Sequence, residues 1–255
     1  MGHPDILLTN DDGIESPGLR ALAEGLSEVG DVTVVAPAEN RSAVGRASSD
    51  EVTVTDHELG YAIDGTPVDC VVAGIEAIGP DPDIVVSGSN KGANLGMYVL
   101  GRSGTVGAAV EAAYFGVPAI ATSLYLPGDR WQQETAVEEY REAVRATTYL
   151  VDHAFDDGVF EHADYLNVNA PAPENGETDM VVTRPSRAYD MSATRDGRRI
   201  RLQDRMWERM AEGALDDGPE TDRRAVVDGK VSVSPLSVPN TTEHHDVLDD
   251  LAATY

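Results

Sequence analysis

An α/β fold with a mostly parallel sheet is predicted for this chain of 255 residues, and two observations predict it. Short apolar runs, Ile6-Leu7-Leu8, Val32–Ala36 and Ile84-Val85-Val86, alternate with stretches of helical periodicity. Strands separated by helices call for right-handed crossovers and parallel neighbours. Each run also ends in a polar segment, over residues 9–16, 36–48 and 87–104. In a parallel sheet those three loops gather at one edge, where open α/β sheets bind their ligands.

The elements follow in order. Asp5–Thr9 is the first strand. Ser16-Pro17 joins an N-cap to a proline at the first helical position, and Leu19, Leu22, Ala23 and Leu26 share one helical face before Gly30 stops it. Val32–Ala36 is the second strand, closed by Pro37; Val52, Val54 and then Tyr61-Ala62-Ile63 suggest a small extra hairpin. Thr66-Pro67 repeats the cap and proline, and Val68, Val71, Val72, Ile75 and Ile78 mark an amphipathic helix. Ile84-Val85-Val86 is the third core strand. After a glycine-rich loop, Val106, Ala109, Val110 and Ala113 give an alanine-rich helix ending at Gly116. Ala119–Ser123 reads as strand, Val137 to Val151 as a longer helix, and Tyr165–Asn169 as the strand that closes the series.

Beyond Asn169 the pattern changes. Residues 187–210 carry many Arg and Asp, 211–222 are acidic and loop-like, Val231–Pro235 is a late strand and Thr241–Leu251 a terminal helix. The division expected is a catalytic core over 1–185 and a carboxyl-terminal arm over 186–255, made of a hairpin, the late strand and the terminal helix. So few core residues suit an arm that packs back on the core and on a partner subunit better than a second domain.

Nineteen basic residues against forty-five acidic ones give a net charge of −26. That sign argues against nucleic acid and anionic membranes as partners. Its self-repulsion calls for screening, and at about 1 M salt the Debye length is roughly 3 Å; a salt-rich cytoplasm is expected. The amino terminus lacks a basic region followed by an apolar stretch, and no apolar run is long enough to span a membrane, so a cytoplasmic location is expected. Cys70 is the only cysteine, which excludes an intramolecular disulfide, and its flanks suit a small buried apolar group.

The chemistry concentrates in the three loops. Asp11 and Asp12 stand side by side at the end of the first strand. Adjacent carboxylates repel, so a buried pair needs a cation or a shared proton, although an Asp-Asp-Gly turn is also common at surfaces. Gly13 supplies a permissive turn residue. The second loop offers Asn40 and Ser42 as oxygen donors and Arg41 as a fork for phosphate, or as the partner of a surface carboxylate. The third offers Asn90 and Asn94 among glycines. Ser103-Gly104-Thr105 then opens the alanine-rich helix, whose free N–H groups make an anion site. All-oxygen ligation of this kind suits Mg²⁺ or Mn²⁺. Asn10 is expected to brace its loop rather than ligate, with a place in the substrate-binding set alongside Gly13, Asn40, Arg41, Asn94, Ser103, Gly104 and Thr105.

These stretches, together with Gly65-Thr66-Pro67-Val68-Asp69-Cys70-Val71 and the weaker Asn167-Val168-Asn169, Thr221-Asp222 and Val231–Pro235, resemble the SurE family of stationary-phase survival nucleotidases, in the family's order along nearly the whole chain. The resemblance implies a Rossmann-like core with an arm exchanged in homodimers or homotetramers. It implies a metal-dependent phosphatase acting on nucleoside 5′- and 3′-monophosphates, with some members also trimming polyphosphate. It implies one divalent ion per subunit held by Asp11, Asp12, Ser42 and Asn90, with Asp11 and Asp12 as the catalytic carboxylates. Met97-Tyr98 stands where the family usually has an acidic residue, and Arg102 where it often has His or Tyr; both bear on substrate preference. A haloacid-dehalogenase-like phosphatase needs two aspartates one residue apart, which this adjacent pair does not supply. A binding module without catalysis would favour Gly-x-Gly-x-x-Gly or a P-loop, and neither is present.

Overall fold

The structure, a computed structural model, describes residues 3–153, 158–172 and 178–238. The terminal helix expected over Thr241–Leu251 lies outside the described residues. The elements run β1 (Asp5–Thr9), α1 (Pro17–Leu26), β2 (Asp31–Pro37), β3 (Val54–His57), β4 (Gly60–Ile63), α2 (Pro67–Ala73), β5 (Ile84–Lys91), α3 (Met97–Leu100), α4 (Gly104–Tyr114) and β6 (Ala119–Tyr125). They continue through α5 (Arg141–His153), β7 (Tyr165–Pro171), β8 (Met180–Val182), β9 (Met191–Asp196), β10 (Arg199–Asp204), α6 (Met206–Ala211), α7 (Asp222–Val227) and β11 (Val231–Leu236).

Among the described residues, nine strands form one sheet in the order β3-β4-β2-β1-β5-β6-β7-β11-β8. From β4 to β7 every neighbouring pair is parallel. The departures lie towards the flanks, where β3 pairs antiparallel with β4 and β11 antiparallel with β7. The expected mostly parallel α/β sheet is therefore the fold. β11 lies inside this sheet between β7 and β8, while β9 and β10 form a separate two-stranded hairpin.

Strand alternation divides the apolar side chains between two faces. Ile6, Leu8, Val34, Ile84 and Val86 pack with Leu19, Leu22 and Leu26 of α1 and Ala143 and Ala146 of α5. Leu7, Val35 and Val85 pack on the other face with Val71 of α2 and Val106, Ala109 and Ala112 of α4. The result is the three-layer, Rossmann-like arrangement. Full burial of each α1 leucine contributes roughly 1.5–3 kcal/mol, which fixes that helix on its face.

Both expected helix starts are present. Ser16 accepts from Leu19 N–H ahead of Pro17, and Thr66 forms a reciprocal capping box with Asp69 ahead of Pro67. The second helix does not continue regularly to Ile78. After Ala73 it passes into a π-helical turn, Gly74–Ile78. Gly74 lies hard against Leu7, where a Cβ would come within 2.6 Å of a leucine methyl, and glycine is a weak helix former. Four short elements were not legible: β8 of three residues, α3 of four, and α6 and α7 of six each. They are too short for a periodic pattern to emerge. β5 also runs further than expected, to Lys91, past a register shift between Ser87 and Asn90. Because β1, β2 and β5 are parallel neighbours, the three polar loops meet at one sheet edge.

Candidate active site

The bend after β1 is built by Asn10. Its carboxamide nitrogen donates to Gly13 O (3.0 Å) and Ser16 Oγ (2.7 Å), and its oxygen accepts from Gly13 N–H (3.2 Å). Gly13 has a φ of 98°, and a Cβ there would stand 3.1 Å from the Glu39 carbonyl carbon. The turn thus needs glycine both for its conformation and for the approach of the second loop.

Asp11 is 3 % exposed and receives the Thr105 hydroxyl at 2.6 Å. Its backbone carbonyl accepts the Arg41 N–H at 2.7 Å, which ties the first loop to the second. Burial, and then the negative charge of Asp12, push its carboxyl up from 3.8 to about 6, while Thr105 pulls it down. Asp12 is partly buried and gathers donors from two other loops. It accepts Lys91 N–H at 2.7 Å, Asn40 Nδ2 at 3.2 Å and Ser42 Oγ at 3.4 Å. Burial raises its carboxyl too, against the lowering effect of those bonds and of the Lys91 charge.

The start of α4 closes the site. Ser103 caps the helix through Val106 N–H, and a Cβ on Gly104 would stand 2.8 Å from the Asp11 Cβ. Only glycine lets the helix come this close, so the amino end of α4, with its unpaired N–H groups and positive dipole end, stands beside the carboxylate pair. The helix end thus favours negative charge, while the carboxylate pair opposite it favours a cation.

The structure thus brings together Asp11, Asp12, Asn40, Ser42, Ser103, Gly104 and Thr105, with Asn90 on the same strand end as Lys91. Asn90 donates through its amide nitrogen to Gly92 O at 2.5 Å, so its side-chain oxygen is the atom left for a cation to meet. Arg41 directs its guanidinium to the exposed Asp64 at 3.0 Å. Asn94 faces other partners: its amide donates to Ser123 Oγ, and its backbone meets Asn167 and Asn169 of β7.

Three participants were missed in the sequence. Lys91 is one of only two lysines, and that scarcity was its signal. Asp222 and Arg223 clamp the third loop to the later chain. Asp222 accepts Gly96 N–H at 2.6 Å and Ser186 N–H at 2.9 Å, and the buried Arg223 reaches Ser186, Ala188 and Leu95. Only the pair Thr221-Asp222 marked this region beforehand.

The donor set can be tested against a cation. No group of three or more His, Cys, Asp or Glu is arranged for a metal among the described residues. A site here would combine two carboxylates with the Ser42 hydroxyl and the Asn90 carbonyl. Such all-oxygen sets, completed by water and substrate, suit hard divalent cations. Burial raises both carboxyls, and the charge of Asp12 adds to the rise of Asp11; a cation between them would offset both costs. Cys70 takes no part: it is buried in α2, and burial pushes its thiol up.

Residues 6–192 match the family model described as survival protein SurE. The chain is similar to a 5′-nucleotidase SurE of Halobacterium salinarum, 64 % identical over 99 % of this chain and 98 % of that protein. A 5′-nucleotidase SurE of Haloarcula marismortui is also 64 % identical, over 100 % of this chain and 96 % of that one. Among solved structures, the SurE protein from Aquifex aeolicus superimposes with a TM-score of 0.80 at 32 % identity, covering 98 % of this chain and 99 % of that one.

Proposed function

Since the chain belongs to the survival protein SurE family, we propose that its carboxylate pair, with a divalent ion, hydrolyses nucleoside monophosphates to nucleoside and phosphate. It is a 5′-nucleotidase of the SurE type, a phosphoric monoester hydrolase. The observation that carries the site is Asp11, 3 % exposed beside Asp12 and against the opening turn of α4. Structural neutrality alone would favour an uncharged residue there.

Asp11, Asp12, Ser42 and Asn90 would hold one Mg²⁺ or Mn²⁺, which when bound neutralises phosphoryl charge and makes water more acidic. The remaining steps belong to the chain. The free N–H groups at the amino end of α4 and the hydroxyl of Ser103, which caps the helix as an acceptor and keeps its proton to donate, receive the phosphate oxygens. Thr105 keeps Asp11 oriented, and the Lys91 N–H, Asn40 and Ser42 keep Asp12 oriented. One of the two carboxylates orients the attacking water and takes its proton. As the water oxygen bonds to phosphorus, the phosphorus–oxygen bond to the nucleoside breaks and the departing oxygen takes up the proton held by that carboxylate, with positioning and charge neutralisation supplying most of the rate.

Activity on 3′-monophosphates and on short polyphosphate is the broader reading. So are a cytoplasmic setting and a homodimer or homotetramer formed through residues 186–255. Ile200 and Leu202, 62 % and 72 % exposed on the β9–β10 hairpin, support the oligomer, since exposed apolar side chains of this size suit a partner. Phosphate release from AMP, with and without EDTA, tests the central reading. Release that stops in EDTA and returns with Mn²⁺ supports it; release indifferent to EDTA removes the ion from the scheme.

A further inference from the structure

A cleft of about 750 Å³ begins at Lys91 and Gly92, beside the carboxylate pair, and runs between the turn Gly128–Gln132 and α6. That volume suits a nucleoside-sized ligand. It is lined by both tryptophans of the chain, Trp131 on the turn and Trp207 on α6, an element that packs against the turn. The two indoles are 59 % and 38 % exposed. Large aromatic surface left open in a chain with only 5 % aromatic residues asks for a ligand that covers it.

The charge along the cleft is polarised. Lys91, whose charge already acts on Asp12, is its only cationic lining residue among the described residues and stands at the end next to the carboxylates. Asp129, Glu208 and Glu212 line the region of the tryptophans. A phosphate is drawn to the first end and repelled from the second. A flat aromatic group with N–H donors fits the second end, because it stacks on indole and donates to carboxylate.

We propose that this cleft is the base-binding half of the substrate site, in which Trp131 and Trp207 stack on the nucleobase and the acidic wall selects bases bearing an exocyclic amine. The assignment rests on the nucleotidase reading above and extends it to substrate choice. Adenine meets the wall with an amino group; hypoxanthine presents a carbonyl oxygen at the same position, which carboxylates repel. Trp131 and Trp207 act on binding and orientation of the substrate rather than on the reacting phosphorus.

The two tryptophans also supply the test: both line this cleft, so indole emission excited beyond the tyrosine band reports on it. Titration of the intact protein in molar KCl with adenosine, which has no phosphate, should quench the emission saturably. Ribose 5-phosphate should leave it unquenched, and inosine should require a higher concentration than adenosine. In parallel, Trp131→Ala and Trp207→Ala should each lower the ratio of kcat/KM for AMP over ribose 5-phosphate about tenfold. Trp131→Phe, which keeps an aromatic face, should restore most of that ratio. Unquenched emission in adenosine while AMP is turned over would overturn the cleft assignment, as would an unaltered ratio in both alanine variants. Inosine binding as well as adenosine would overturn the role of the acidic wall. Quenching by adenosine in a protein that does not hydrolyse AMP would leave the cleft standing and remove the nucleotidase reading instead.

Discussion

Asp11 is where the conflict between stability and chemistry is sharpest, because its carboxyl is buried, faces Asp12, and is pushed up from 3.8 to about 6. The folded protein then holds that proton more tightly than the unfolded chain does. The resulting stabilisation is complete below pH 3.8 and is lost as the pH rises through about 6. A displacement of this size corresponds to about 3 kcal/mol. In molar KCl with EDTA at pH 7, Asp11→Asn should therefore melt roughly 5–10 °C above the unsubstituted protein. The difference should close near pH 4. Equal melting temperatures at pH 7 would mean that burial does not strain this carboxylate. The same substitution should abolish phosphate release from AMP while circular dichroism stays native.

At the scale of elements, the start of α4 and the clamp on the third loop decide how well the site is held. Gly104→Ala places a methyl 2.8 Å from the Asp11 Cβ, so helix and carboxylate must separate. Displacements near 1 Å cost on the order of a hundredfold in rate. A loss of tenfold or more in kcat with little change in melting temperature is expected; full activity would show that the helix approach is dispensable. Arg223→Ala removes donors from Ser186, Ala188 and Leu95 and leaves Asp222 without its buried cationic neighbour. A loss of roughly 3 kcal/mol follows for breaking a buried charged network, measurable by calorimetry in molar KCl. What was legible at this scale was local. Ser16-Pro17, Thr66-Pro67 and Asp11-Asp12 announce themselves within a few residues because caps, prolines and adjacent charges act at short range. The pairing of Asn94 with Asn167 and Asn169 was not, because it joins positions 73 and 75 residues apart. Nor was the clamp from Asp222 to Gly96, 126 residues away.

The whole molecule carries a net charge of −26, and most of it lies on the surface, where the cationic side chains are already shared among pairs such as Arg20–Glu58, Arg184–Glu220 and Arg224–Asp228. Exposed pairs of this kind contribute little each, so screening by solvent ions has to offset the remaining repulsion. Thermal melts should rise by several degrees between 0.1 M and 2 M KCl, the Debye length falling from about 10 Å to under about 3 Å. Equal melting in both would remove the case for a salt-rich setting. The same field opposes the approach of anionic substrates, so kcat/KM for AMP should increase with salt over this range. The α/β sheet was legible because its strands are apolar runs with helices between them. The placement of β11 inside the sheet was not, since it follows the long excursion of the β9–β10 hairpin.

In the proposed site, two adjacent carboxylates and two neutral oxygens, from three loops, hold a single hard cation. Titration of the EDTA-stripped protein with Mn²⁺, followed by the loss of the free-ion paramagnetic resonance signal, measures this directly. One Mn²⁺ per chain should bind to the unsubstituted protein, with binding lost in Asp11→Asn and Asp12→Asn. Undiminished binding in both variants, or none in the unsubstituted protein while AMP is still hydrolysed, would contradict it.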